Sequence, residues 1–353
     1  MMKRILAMTV AAMSLSLLSF QAAYAIPEGT KVQRYKSGLN FPVDMAWVRG
    51  SKRIFFTEKS GAIRVMVGRR LLNRPCRRLD VSSSGERGAL GIALHPKFKK
   101  NKFLYVYYTN RSPLQHRVTR FKVSGNRCTN RKHVVKGLNA ASSGYHNGGQ
   151  LEFVRGKLFV TTGDAHNPGL AQDTGNRLGK VLRYNPNGTI PDGNPFSTPT
   201  NKNPVWSYGH RNPFGITVRA KTGHIYITEN GPNCDDELNF IKKGRNYGWG
   251  NGYQCGTSGV GPNPKGPLRR WGSIVVPTDP WWYRGSVKQL SGRLYVGDFA
   301  GRLHRIRLNA KGNKLRSDKV IHTAPSGIVD VSVGPRGRLY FMTPNAIFRI
   351  VPD

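Results

Sequence analysis

From residue 41 onward, short apolar runs alternate with turns rich in Gly and Pro. No amphipathic helical period competes over comparable lengths. One unit recurs: an apolar strand, a turn, then a second strand ending in Thr or Asp. It occupies 41–48 with 53–57, 88–96 with 103–109, 151–154 with 157–162, and 215–218 with 223–228. A fifth copy covers 292–298 with a further strand at 303–308, and a sixth covers 328–333, 337–343 and 346–351. The central aromatics Phe55, Tyr105, Phe159, Tyr226, Tyr295 and Tyr340 are 50, 54, 67, 69 and 45 residues apart. Multi-stranded repeats of roughly 40–50 residues are the signature of propeller blades. The expected fold is therefore all-β, a six-bladed β-propeller over residues 26–353, with inserted loops in the longer third and fourth intervals.

Residues 1–25 read differently. Lys3 and Arg4 lead an apolar run from Ile5 to Phe20, and Ala23-Tyr24-Ala25 offers small residues at the cleavage positions. This is the pattern of a secretory signal peptide, too short for a membrane span, and implies a periplasmic or secreted protein with no transmembrane segment. Removing the leader lowers the formal charge only from +38 to +36. Such a surface attracts polyanions non-specifically. The charge is spread along the chain without a helix-turn-helix, zinc-finger or RNA-binding signature, so specific nucleic-acid recognition is not expected.

In an oxidising compartment the four cysteines are expected to form structural disulfides. Of three possible pairings the economical one is Cys76–Cys128 with Cys234–Cys255. The spacings are too long for a CxxC-type zinc site.

Candidate chemistry lies in polar loops at strand ends, namely 84–91, 144–149, 163–179, 208–215 and 229–250. Such loops can converge on one mouth of a propeller. His146, set among glycines at the entrance of a strand, reads either as a general base or as an imidazole satisfied by backbone groups. His95, before Pro96, reads as structural. Arg211, beside Asn212 in YGHRNPFG, can hold a carboxylate or a quinone oxygen; the alternative is a solvated arginine. The acidic run ENGPNCDDE (229–237) has the oxygen-rich character that suits Ca²⁺, or it neutralises nearby Arg and Lys. Trp249, in NYGWG, reads as packing.

Together these segments resemble the soluble pyrroloquinoline quinone (PQQ)-dependent glucose and aldose sugar dehydrogenases. The matching stretches are GERGALGIALHPKF (85–98), YHNGGQLEF (145–153), LFVTTGDAHNPGLAQDTGNRLGKVLRYNPNGTIPDGNPF (158–196), SYGHRNPFGI (207–216) and ENGPNCDDELNFIKKGRNYGWG (229–250). The resemblance implies that His146 is the base for the sugar's anomeric hydroxyl and that Arg211 stabilises charge at the quinone oxygens of PQQ. It implies that Asn212 contacts the cofactor, that Gly231 and Pro232 offer carbonyls to Ca²⁺, and that Asp236 supports that loop and the base. Glu86 and Asn230 fall at cofactor positions where the glucose enzymes carry glutamine, and Tyr145 falls at an aspartate position. The family's Lys/Arg clamp on the PQQ carboxylates has no counterpart in 298–301 or 326–330, leaving Arg302, Arg284 and Lys288 as nearby cations.

The implied activity is oxidation of an aldose-type sugar to its lactone, with electrons passing to an external acceptor. Since no CxxCH haem motif occurs in the sequence, a cytochrome acceptor would be a separate protein. The alternative from another class is a catalytically silent basic propeller that binds anionic glycans or surface polyanions.

Overall fold

The computed structural model describes residues 26–353, so the expected leader at 1–25 lies outside the described residues. Six antiparallel sheets form a ring, each inner strand packing against that of the next blade and the last against the first. The inner strands are Pro42–Trp47, Ala89–Leu94, Gly148–Val154, Pro213–Arg219, Pro277–Tyr283 and Asp330–Val333, for blades 1 to 6. The expected six-bladed propeller is the fold of the chain.

The six spaced aromatics explain why the repeat was visible. Each lies on the second strand of its blade and is buried. Truncating such a ring would leave a cavity in the blade core, which is why the position stays large from blade to blade. The threonine at the second strand's end has a related job. Thr57, Thr161 and Thr228 donate to the backbone carbonyls of Leu90, Pro213 and Thr278, each on the next blade. These hydrogen bonds tie blade 1 to 2, blade 3 to 4 and blade 4 to 5.

Two features were not legible in the repeat. Blade 6 obtains its fourth strand from the beginning of the described chain: Thr30–Ser37 pairs with Ala346–Pro352. The ring is thereby closed by strand pairing between its two ends, leaving no open interface between first and last blades. Blade 5 has an additional inner strand, Pro277–Tyr283, whose prolines disguised it. A bulge lies between Pro277 and Pro280, and comparable irregularities occur near the start of the inner strands of blades 1 to 4. Bulges there turn the preceding loop residues toward the mouth.

The long third and fourth intervals correspond to loops within blades 3 and 4, including 185–204 and 242–268. Both disulfides follow the economical pairing. Cys76–Cys128 joins the outer parts of blades 1 and 2, and Cys234–Cys255 ties the acidic loop to the 242–268 loop. Arg127, Arg131, Lys132 and Lys136, on the outer strand Arg127–Asn139, are exposed, as the distribution of charge implied.

One buried cluster predicts pH-dependent stability. His304, on Arg302–Leu308 of blade 5, lies 2.9 Å from Asp318 and 3.2 Å from Asp298 through its two ring nitrogens. Burial alone would lower its pKa, but hydrogen bonds and charge from the two aspartates outweigh it and raise the pKa above the ordinary value. A raised folded-state value stabilises fully below the unfolded pKa of about 6.5 and is lost as pH rises through the folded value. Thermal midpoints should therefore decline over that rise in wild type, and less steeply in His304→Gln. Equal slopes would contradict this assignment.

Candidate active site

The loops that lead into the inner strands of blades 2, 3 and 4 meet at one mouth. His146 occupies the left-handed region, with φ +56°, immediately before Gly148–Val154. The neighbouring glycines make this conformation accessible by leaving space around it. A Cβ on Gly163 would run into the His146 carbonyl, so the chain just past the second strand can pass this close to the His146 backbone only as glycine.

His146 is 6% exposed. Its Nδ1 lies 2.7 Å from Oδ1 of Asp164, a wholly buried carboxylate. The other oxygen, Oδ2, accepts from Trp249 Nε1 at 2.7 Å, and Oδ1 also accepts from the His166 amide at 2.9 Å. A carboxylate held in this way fixes the imidazole with its Nδ1 proton toward Asp164. Nε2 is then left with a lone pair, and it makes no hydrogen bond to the protein among the described residues. The His166 ring stands edge-on at 4.0 Å between centroids.

Glu86 links two other expected site residues. Its Oε2 accepts from the His146 amide at 2.9 Å and from Asn212 Nδ2 at 3.1 Å. Asn212 Oδ1 in turn accepts from Gly148 N at 3.2 Å. Arg211 lies over the Trp249 ring, 5.3 Å from its centroid, and donates through Nη1 to the Asn230 carbonyl at 3.0 Å. Burial lowers its pKa, opposed chiefly by Asp164, Glu86 and Glu229, and a guanidinium remains charged in this setting. Glu229 anchors the turn through the Arg211 amide and His210 Nδ1.

Gly231 and Pro232 follow directly. Asp236 Oδ1 accepts from Gly231 N at 2.8 Å, while its Oδ2 accepts from Val275 N and Val276 N at 2.6 and 2.7 Å. A Cβ on Gly231 would collide with the Cys234 carbonyl, so this tight loop requires glycine. Asp236 thus supports the loop as expected. Both of its oxygens are occupied by backbone amides and it makes no hydrogen bond to His146; the carboxylate on His146 is Asp164. Trp249 is also reassigned, from packing to a donor on Asp164.

The geometry brings His146, Arg211, Asn212, Asn230 and Glu86 together, with Gly231 and Pro232 beside them. His95 is apart, organising a turn through Lys97 N and Asn101. The three nearby cations do not complete the mouth. Arg302 is committed to Asp298 at 2.6 Å, and Arg284 and Lys288 follow the far end of Pro277–Tyr283. A cavity of about 240 Å³ beside the mouth shares Glu86 with the site but is not lined by His146, Arg211, Asn212 or Asn230; the cation that lines it is Lys59, whose Nζ donates to the Ser83 carbonyl. Phe41, Tyr145 and Phe299 are 38, 48 and 49% exposed, giving aromatic surfaces beside a polar site.

The model of the family described as Glucose / Sorbosone dehydrogenase matches residues 39–351. The chain belongs to this family. It is 27% identical to the aldose sugar dehydrogenase YliI of Escherichia coli over 348 residues, covering 92% of this chain and 93% of that one. It is 33% identical to quinoprotein glucose dehydrogenase B of Acinetobacter calcoaceticus over 197 residues, 48% of this chain and 41% of that one. The PQQ-bound aldose sugar dehydrogenase of Streptomyces coelicolor superposes with a TM-score of 0.79 at 26% identity, covering 92% and 99% of the two chains. The glucose/sorbosone dehydrogenase membership places the chain among sugar-oxidising oxidoreductases and agrees with the resemblance drawn from 145–250. Among the described residues no helix is long and apolar enough to cross a membrane.

Proposed function

We propose that the protein is an exported, PQQ- and Ca²⁺-dependent oxidoreductase that converts an aldose-type sugar to its lactone. The observation that carries this reading is the His146–Asp164–Trp249 chain set beside Arg211 and the Gly231 loop. Two side-chain atoms there are buried without partners, Arg211 Nε and Asn230 Oδ1. A buried donor and a buried acceptor left open in one site fit a polar ligand that would satisfy them. The residues therefore suit a planar, multiply acceptor-bearing quinone: Arg211, Asn212, Asn230 and Glu86 would contact it, and the Gly231 and Pro232 carbonyls would serve Ca²⁺. Lys59 would supply positive charge for a carboxylate from the blade 1 side of the mouth.

When bound, PQQ supplies the two-electron acceptor and Ca²⁺ polarises its quinone carbonyl. His146 Nε2 takes the proton from the sugar's anomeric hydroxyl, and Asp164 stabilises the imidazolium that results. Arg211 places positive charge where negative charge develops. Phe41, Tyr145 and Phe299 offer apolar faces for the sugar ring. A separate cytochrome or quinone serves as the external acceptor.

Reconstituting the mature chain with PQQ and Ca²⁺ and assaying dye reduction across several aldoses tests this reading. Sugar-dependent reduction that requires PQQ is expected; rates no higher than those of the apoprotein would sink it.

The exposed basic outer strands support non-specific contact with polyanions as an additional property. Retention on heparin should weaken steeply as salt rises, because surface charges are screened over about 10 Å at 0.1 M. Salt-insensitive retention would argue against an electrostatic contact.

A further inference from the structure

Lys180 opens the third strand of blade 3, Lys180–Tyr184, and is 0% exposed. No carboxylate forms an ion pair with it among the described residues; its Nζ donates instead to the backbone carbonyls of Leu170 at 2.7 Å, Ala171 at 3.0 Å and Leu178 at 2.6 Å. An ammonium has three protons to give and no acceptor, so these three bonds satisfy it completely. A buried charge requires such compensation. Burial pulls the Lys180 pKa down to about 7, with Asp173 and Asp164 opposing, while hydrogen bonds to the three carbonyls favour the charged form.

All three carbonyls belong to the loop 163–179, which leaves the second strand beside Asp164 and returns at Lys180. The ammonium therefore gathers this loop from within. Leu170 and Ala171 lie in its short helix, Pro168–Gln172. The last residue of that helix leads to the candidate base: Gln172 Nε2 donates to the Trp249 carbonyl at 2.6 Å and to Asn246 Oδ1 at 3.0 Å. Trp249 in turn donates to Asp164, which holds His146. The helix is packed closely against the returning chain, because a Cβ on Gly179 would collide with both Ala171 and the His210 carbonyl.

We propose that Lys180 is a positioning residue for the sugar oxidation described above, its buried ammonium fixing the 163–179 loop so that Gln172, Trp249 and Asp164 hold His146 in place. This inference rests on His146 being the base of that reaction. Fully buried, Lys180 acts through these groups and not on the sugar. Its charge has a second consequence. A cation near Asp164 opposes proton uptake by His146, and a firmly held Trp249 donor does the same by drawing on the Asp164 carboxylate. Removing Lys180 should therefore keep the imidazole protonated to higher pH. The other ionisable groups around His146 are Glu86, Arg211 and His166, and the variants below leave all three unaltered.

Lys180→Met keeps the apolar stem and removes the charge with its three donors. In enzyme loaded with PQQ and Ca²⁺, kcat should fall about tenfold or more, as displacement of a catalytic group does. The acid limb of kcat/KM should also move to higher pH, which a loss of stability alone would not cause. Gln172→Leu retains Lys180 and breaks only the links to Trp249 and Asn246. It should move the limb in the same direction, and it decides the matter if Lys180→Met fails to fold. Wild-type kcat with an unmoved limb in folded Lys180→Met would overturn the inference, as would an unmoved limb in Gln172→Leu. A lower kcat at unchanged pH dependence would also overturn it, leaving Lys180 a structural residue. Each of these results leaves wild-type turnover, and with it the proposed function, standing. Wild-type protein without PQQ-dependent turnover would end both.

Discussion

Replacing His146 by glutamine should lower sugar turnover by about 10²–10⁴-fold, the usual contribution of a positioned general base. PQQ affinity should change little, because the His146 amide bond to Glu86 comes from the backbone and survives the substitution. The expected pattern is a loss in kcat with the PQQ dissociation constant nearly preserved. Steady-state dye reduction measures the first, and titration of the apoprotein measures the second. Turnover within a few-fold of wild type would remove His146 from the base role.

The second large effect concerns Asp164. An asparagine in its place presents one acceptor and one donor where the structure needs acceptors for His146 Nδ1, Trp249 Nε1 and the His166 amide. Either an indole or an imidazole proton is then left facing an amide N–H₂. The imidazole can respond by exchanging its tautomer, which puts the proton on Nε2 and removes the base. Asp164→Asn should therefore reduce kcat by about 10² or more while sparing PQQ affinity. Lost folding alone would reduce both. A double mutant separates positioning from a general disturbance: combined with His146→Gln, the second substitution should add little. Fully multiplicative losses would show that Asp164 acts independently of His146.

The fold was legible because the requirements of a blade are local and repeated. Each second strand needs a large buried side chain, and Phe55, Tyr105, Phe159, Tyr226, Tyr295 and Tyr340 provide it at recognisable intervals. The closing strand Thr30–Ser37 was not legible, since its partner Ala346–Pro352 is at the other end of the chain and neither contains a signal for the other. The blade 5 inner strand was concealed by Pro277 and Pro280, which its bulge accommodates.

The site divides in a similar way. Loop residues with unusual backbone demands stood out: His146 among glycines, the Arg211-Asn212-Pro213 turn, and Gly231 in an acidic run. Asp164 did not, because a Thr or Asp ending a second strand is part of the repeat and elsewhere serves blade packing. Asp298, at the corresponding end in blade 5, pairs instead with Arg302 and His304. What separates the two aspartates is the chain that follows. Ala165 and His166 both have positive φ, turning the segment back so that Asp164 meets His146 and Trp249. Lys59 was likewise obscured, because a lysine in a chain with 56 Lys and Arg carries little information until its place beside the mouth is known.

The central claim is that the mouth around Arg211, Asn212 and the Gly231 loop is a quinone-cofactor site, and a PQQ titration tests it most directly. Chelator-stripped mature protein, titrated with PQQ in the presence of Ca²⁺, should show saturable binding by absorbance, weakened in Arg211→Ala and in Lys59→Ala. No saturable binding by folded wild-type protein, with or without Ca²⁺, would contradict the account.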